Sequence, residues 1–593
     1  MMHARATWWA IAAGAGLAGC SPDPDPVPEA RIERLTPVEH LVRASMAVRG
    51  TRPSLAEIDT VRADAGALPG LIRGWLDSEA FGDTIEDLHA ELYLLRADTN
   101  YQLPVQGILV EAGFDQGDLH RSTVGAPTRL VREIVLEDRP YTEILTTDYT
   151  VADGVVSAIY GLDYDPGGDT WQHTHWTDGR PQSGLLSDSE LWRRHVSNAA
   201  NYHRGRANFV SRTFLCEDVG RRDVFVEGGV NIANPDEVAE AVSTQPSCVG
   251  CHNVVDPMAA FFWGYKEQIQ RNAVLQAYQA GCEWDWSKGP PPLDAYRVEH
   301  WCYPLKFYDV AEEGLWEEKG LKAPAFYGVL GETMEDLGRM VTEDPRFATC
   351  AARSFAGYLT QTDRYDVPEA WAGELAQVFV DSGYSAKALV EAIVVSEPFA
   401  AARVVDDPGE SVFVAGLQTI RPEQVGRTLA DLTGFSWVAN EDYPGCEVGG
   451  NNCWGTVDLT NSDVYGFRSM MGGIDSWTVT HPTHTPTPTQ VMAVGLVADE
   501  AAGFVVEHDF AVAAGERRLL GGVEADTTDE AAVRAQIAAL ALRMFGREWA
   551  VGGEDASGAY ALWKVASDRA GDPAEGWRVV ISALLQDPEL VFY

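Results

Sequence analysis

The sequence predicts a mainly α-helical, multidomain protein: helical bundles joined by long irregular loops, with one small Cys-rich segment in the middle. Three observations predict it. Helix-start signatures recur along the chain. Apolar residues return at three- and four-residue spacing over most of its length. The 593 residues, 46% of them hydrophobic, suffice for several cores. Charge sets a further bound. Lys+Arg number 45 against Asp+Glu 88, a net −43 spread along the chain. A surface this negative has no global attraction for phosphate backbones, which argues against a nucleic-acid partner.

The elements follow in order. Arg5 precedes the apolar stretch Ala6–Leu17, too short to span a bilayer, and Leu17-Ala18-Gly19-Cys20 then matches the lipobox of bacterial lipoproteins. Residues 1–20 are therefore expected to be a lipoprotein signal peptide, with Cys20 lipidated and the protein anchored to a membrane outside the cytoplasm. Residues 21–34 open with alternating prolines and are expected to form an extended tether. Elsewhere no run approaches the length of apolar chain that a span needs.

Thr36-Pro37-Val38-Glu39 places a cap, a first-turn proline and a reciprocal Glu in a row, and Ser54-Leu55-Ala56-Glu57 repeats the capping box. With the periodic stretches 68–76 and 84–95 these define an N-terminal helical domain over 35–103. Residues 104–127 read as a loop-rich join. A second helical domain, 128–215, carries a long Gly/Pro/Asp/Trp-rich loop at 161–185. The Cys-rich segment covers 216–310. A third helical domain covers 325–405, and Pro408 marks a boundary. The C-terminal domain, 406–593, is expected to hold helices near 422–432, 490–508, 528–546, 557–568 and 573–586, with an irregular aromatic stretch at 433–489.

Chemistry concentrates in one place. Cys248-Val249-Gly250-Cys251-His252 is a C-x-x-C-H element, the attachment signature of c-type haem. Two thiols three positions apart on one helical turn can each form a thioether to a vinyl group, and the adjacent imidazole then reaches the iron. At this chain's own Cys and His frequencies the motif arises by chance about 0.003 times. Cys248 and Cys251 are thus candidate attachment residues for one covalent haem c, and His252 is its axial ligand. Val254, Val255, Met258, Phe261, Phe262 and Trp263 could wall an apolar pocket. Three other readings stay open: a Cys248–Cys251 disulfide, half of a zinc site, or a redox dithiol. The second axial ligand is not readable. His173, His175, His203, Met470 and Met471 are candidates, whereas Met258 is only six residues from His252.

Setting aside Cys20 and the haem pair leaves six of the nine cysteines, an even number that suits disulfides in an oxidising compartment. Cys446 and Cys453 flank a short Gly/Asn loop and make the first expected pair. Cys282 and Cys302 make the second, and Cys216–Cys350 follows by elimination. Asp163–Asp169 offers carboxylates but departs from a calcium loop, so a turn is expected. His481 and His484 sit in a Pro/Thr run that reads as a rigid surface loop. No Walker loop, G-x-S-x-G, H-E-x-x-H or dinucleotide fingerprint occurs, so no catalytic residue is assigned.

These residues together resemble the planctomycete-type, cytochrome c-associated multidomain proteins built from domains of unknown function. Residues 35–96 are similar to their N-terminal helical domain, and 129–162 to the segment in which an acidic-Arg-Pro turn precedes a Thr-Asp-Tyr-Thr stretch. Residues 202–258 resemble them most closely, with Arg204-Gly205, a downstream Cys and CVGCHNVVDPM. Residues 337–403 and 573–593 resemble later helical domains. Ala259 and Trp263 depart from the family pattern, which has Gly and Glu there. The resemblance implies a small haem-c-like segment in a cell-envelope protein and supplies no established reaction. The expectation is a membrane-anchored lipoprotein with one haem c that transfers electrons to an unnamed redox partner. The expectation from another class is a non-catalytic surface scaffold or binding protein, in which the C-x-x-C-H is a disulfide or structural metal site.

Overall fold

The computed structural model describes residues 31–593 apart from 97–102, 104, 106, 199–200, 222–229, 232, 268–302, 407–411 and 441–455. Helix makes up 59% and strand 6%, a mainly helical multidomain fold. The strands form two-stranded antiparallel ribbons.

The first ribbon closes the N-terminal half of the molecule. Arg31–Arg34 (β1), at the end of the expected tether, pairs antiparallel with Ala401–Asp406, with Arg34 opposite Ala401. The helix Pro37–Arg49 (α1) follows. Its Thr36 cap and Glu39 form the expected capping box, and Gly50 ends it in the left-handed region at φ 68°. Residues 41–48 of α1 are all buried. Leu41, Ala44, Ala47 and Val48 face one hydrophobic core, and Val42 and Met46 face another. Arg43 lies between them and donates through Nη1 to the carbonyls of Phe399 and Ala401, 2.8 Å each.

The larger core runs from Leu41 to Phe399 without interruption. The stretches 35–103, 128–215, 216–310 and 325–405 therefore share it, and their divisions in sequence are not divisions of the core. Glu79–Leu92 (α2) packs on Gln116–Leu136 (α3). Helix α3 corrects the expected join at 104–127, because it starts at an Asp115–Asp118 capping box and passes straight through Pro127. Proline removes one helical N–H. The hydroxyls of Thr123 and Thr128 bond back to the carbonyls of Leu119 and Gly125, at 2.8 and 2.9 Å, in the same turns. The 161–185 loop carries a short strand, Gln172–Thr174, paired with Thr150–Ala152.

Three helices then frame the Cys-rich region. Arg204–Leu215 (α4) packs on Pro246–Ala259 (α5) and on Pro345–Thr360 (α6). Cys216, the C-cap of α4, forms a disulfide with Cys350 of α6, the pair expected by elimination. Cys282, Cys302, Cys446, Cys453 and Cys20 lie outside the described residues.

The ribbon partner of β1, Ala401–Asp406 (β2), ends this half. The second core holds Pro422–Thr433 (α7), Pro488–Ala511 (α8), Glu530–Phe545 (α9), Glu554–Ala570 (α10) and Pro573–Leu585 (α11). The expected helices are present, each a few residues longer or shorter. Helix α8 corrects the expectation that no run beyond the leader approaches the apolar length of a membrane span. It has 24 residues and a mean hydropathy of 1.4, long and apolar enough by length and composition to cross a membrane. Its Ala493, Val497, Ala501 and Val505 instead form a buried stripe packed on α11.

Candidate functional site

Cys248, Cys251 and His252 all lie on α5, and the helix explains how the motif works as a unit. Pro246 sits in its first turn, where a missing N–H costs nothing. Three residues along a helix advance about 4.5 Å and return to nearly the same face, so both thiols sit on one side. Neither cysteine is in a disulfide, and both are half-buried. A Cβ built on Gly250, between them, meets nothing within 4 Å. Gly250 is exposed, on the side of the helix away from the two thiols.

His252 is oriented from behind. Its Nδ1 lies 2.9 Å from Asp256 Oδ1, one turn further along α5. Asp256 is itself gripped by Arg204, the first residue of α4, with Nε at 2.6 Å and Nη2 at 3.2 Å. Burial alone would push the Asp256 carboxyl up, but the hydrogen bonds from His252 and Arg204 hold it below the ordinary Asp value. The imidazole thus donates through Nδ1 to a carboxylate, which fixes its tautomer and leaves the Nε2 lone pair available. Among the described residues nothing bonds Nε2. Arg204 and Asp256 are the functional residues that site assignment from sequence missed. Their signal was there: an Asp four residues after a His on a helix meets it side by side.

The expected pocket wall takes a different part. Val255, Met258, Phe261 and Phe262 are buried members of the larger core. Phe262 packs edge-on against Trp192 at 4.8 Å, and Met258 Sδ accepts from Ser211 Oγ at 3.8 Å. Val254 packs against the core from its edge, and the buried Trp263 lies beside His203 and Tyr202. These side chains point inward because α5 must bury one face against α4, so they anchor the motif in the core rather than line a pocket.

None of the candidate second ligands is in contact with His252. His203 is buried, takes a hydrogen bond from Arg206, and is depressed to about 2 by burial and that guanidinium. His173 bonds Glu133 and stacks on Tyr149 at 4.1 Å, and His175, just past the end of that strand, is exposed. Met471 belongs to the second core, with Met470 beside it. The other weak constellations also resolve. Asp165 organises a turn by accepting from Gly167 N–H at 2.9 Å. His481 is exposed, whereas burial, with Arg421 nearby, pushes His484 down to about 3. Among the described residues no group of three His, Cys, Asp or Glu side chains is placed to hold a metal ion.

The residues fit a covalently attached haem on two counts: two unpaired thiols on one face and a preset imidazole beside them. Comparison with known proteins adds nothing to this geometry, since no family model, no curated protein and no solved structure matches the chain.

Proposed function

We propose that this protein is an exported, membrane-anchored lipoprotein of c-type cytochrome character, carrying one haem c and passing electrons to a redox partner. The observation that carries the reading is the α5 turn, where Cys248 and Cys251 stand reduced beside a His252 whose Nδ1 is tied to Asp256. The similarity to planctomycete-type cytochrome c-associated proteins supports it, as does the lipobox at Cys20. A haem held there would supply a one-electron iron couple. The chain's own part is to fix it: Cys248 and Cys251 would hold the porphyrin edge, and His252 would present Nε2 to the metal. Asp256 makes that imidazole more basic, which favours the oxidised iron, and Arg204 keeps the carboxylate charged and in place.

The test is expression in a host competent in cytochrome maturation. The wild-type protein is expected to show a Soret band and a mass increment of one haem that survives denaturation. Cys248→Ala/Cys251→Ala should lose both. Asp256→Asn should keep the haem attached and raise the reduction potential. A colourless wild-type protein would overturn the proposal, and an unchanged potential in Asp256→Asn would remove the carboxylate from it.

A further inference from the structure

The second site lies away from the C-x-x-C-H turn. A cavity of about 330 Å³ opens where the C-terminal ends of α4 and α6 meet, bordered by residues 362–365 and 480–484. That volume falls within the range of roughly 300–1,000 Å³ typical of small-molecule sites. Arginines from three separate elements line it: Arg212 from the last turn of α4, Arg221 from the short turn Val219–Arg221, and Arg364 from the loop after α6.

In a chain of net charge −43, cations are expected to be neutralised, and many are. Arg421, on the same cavity, pairs with Glu91 at 2.5 Å. The three arginines differ. Among the described residues none of them forms an ion pair. Arg212 and Arg221 make no side-chain hydrogen bond there, only ring contacts with Phe209 and Tyr365. Arg364 uses Nη2 on the Arg212 carbonyl at 2.8 Å, while its buried Nη1 has no partner. Ser354 on the same wall is 8% exposed, and its hydroxyl is also without a partner.

Three carboxylates line the cavity as well: Glu91 pairs with Arg421, and Asp218 and Asp363 each accept through Oδ1 from other groups. Asp218 accepts from Asn208 Nδ2 and Gly220 N–H at 2.9 Å each, and Asp363 accepts from Tyr365 N–H at 2.9 Å. The arginines also repel one another. Burial depresses Arg212, Asp218 opposes that, and Arg364 and Arg221 depress it further. Unsatisfied buried donors are costly unless a ligand or water completes them.

The geometry selects the ligand. A planar carboxylate is satisfied by a single guanidinium fork. Guanidiniums converging from three elements, with a hydroxyl beside them, match an acceptor whose oxygens point in several directions. We propose that this cavity binds a small molecule through a tetrahedral oxyanion, a phosphate or sulfate ester, with Arg212, Arg221 and Arg364 on the oxyanion and Tyr365 beside its body. The site is independent of the haem reading.

The test is calorimetric titration of the full chain at 0.15 M NaCl. The probes are inorganic phosphate, inorganic sulfate, glucose 6-phosphate, glucose 6-sulfate, glucose and acetate. Saturable 1:1 binding of at least one ester is expected, with glucose and acetate silent, and the preferred ester identifies the headgroup. Arg212→Gln and Arg221→Gln should each weaken binding at least tenfold. Arg221 is exposed, so its variant decides the matter if Arg212→Gln melts early. Absence of saturable binding, equal binding of acetate, or binding unchanged in Arg221→Gln would overturn the proposal.

Discussion

Single side chains decide more here through what they are tied to than through their identity. His252 shows this on the functional side, since spacing alone reveals the cysteines and the imidazole. The tie to Asp256 and Arg204 needs α4 to be laid across α5, which no local pattern announces. His89 shows it on the stability side. It is fully buried in α2, donating from Nδ1 to Ile85 O at 2.7 Å and accepting at Nε2 from Tyr141 Oη at 2.7 Å. Burial depresses it to about 4, against 6.5 for an ordinary histidine. Between those values the unfolded chain holds a proton that the folded chain does not. Stability from this group is therefore intact above pH 6.5 and declines as pH falls towards 4. Going from pH 7 to 4.5 should cost about 2–3 kcal/mol through His89 alone. His203 and His484 act in the same sense. His89→Gln should lower stability at pH 7 and narrow the gap between denaturant unfolding at pH 7 and pH 4.5 by about that amount. An undiminished gap would remove His89 from the acid response.

At the scale of elements, the helices that sequence reveals are those that carry their own start signals. Thr36 and Ser54 cap α1 and the helix that begins at Leu55, and each is legible within four residues. Helix α3 stays hidden behind Pro127, because the local rule for proline is overruled by the burial of Ala126, Pro127 and Thr128 within a continuous helix. The join between α4 and α6 is of another kind. Cys216 and Cys350 are 134 residues apart, and only the count of remaining cysteines suggested them. That bond closes a long loop between the C-cap of α4 and the first half of α6, so it restricts the unfolded chain strongly. Cys216→Ala/Cys350→Ala should lose about 2–4 kcal/mol in urea unfolding. Wild-type protein incubated with dithiothreitol should approach the same midpoint, and coincident curves for oxidised and reduced protein would contradict this.

At the scale of the whole molecule, the two cores are not separable, because α1 belongs to both. Its sequence gives no warning: a helix with Arg43 and Ser45 among apolar neighbours reads as amphipathic, yet every residue from 41 to 48 is covered. The second core covers Val42 and Met46. Gln424 Nε2 bonds the Met46 carbonyl at 2.8 Å, and Arg52 reaches the carbonyls of Glu589 and Leu590 at 2.8 and 2.7 Å. Charges are shared in the same way. Asp87 on α2 is held below the ordinary Asp range by Arg427 and Arg96 in spite of its burial, and Arg421 grips Glu91. Ending the chain at Asp406 would expose two apolar side chains of α1, take Arg421 from Glu91, and leave Asp87 with Arg96 alone. Losing that cover and those pairs removes stabilisation that a marginally stable fold needs. The shortened chain should therefore fail to give a cooperative melt, although it retains nearly all of the larger core. Truncation can fail for trivial reasons, so a point variant carries the same claim in the intact chain. Met46→Ala should cost about 2–5 kcal/mol, and calorimetry should show one transition moved as a whole. If instead the endotherm splits, with only one half shifted, the cores unfold independently and α1 does not couple them.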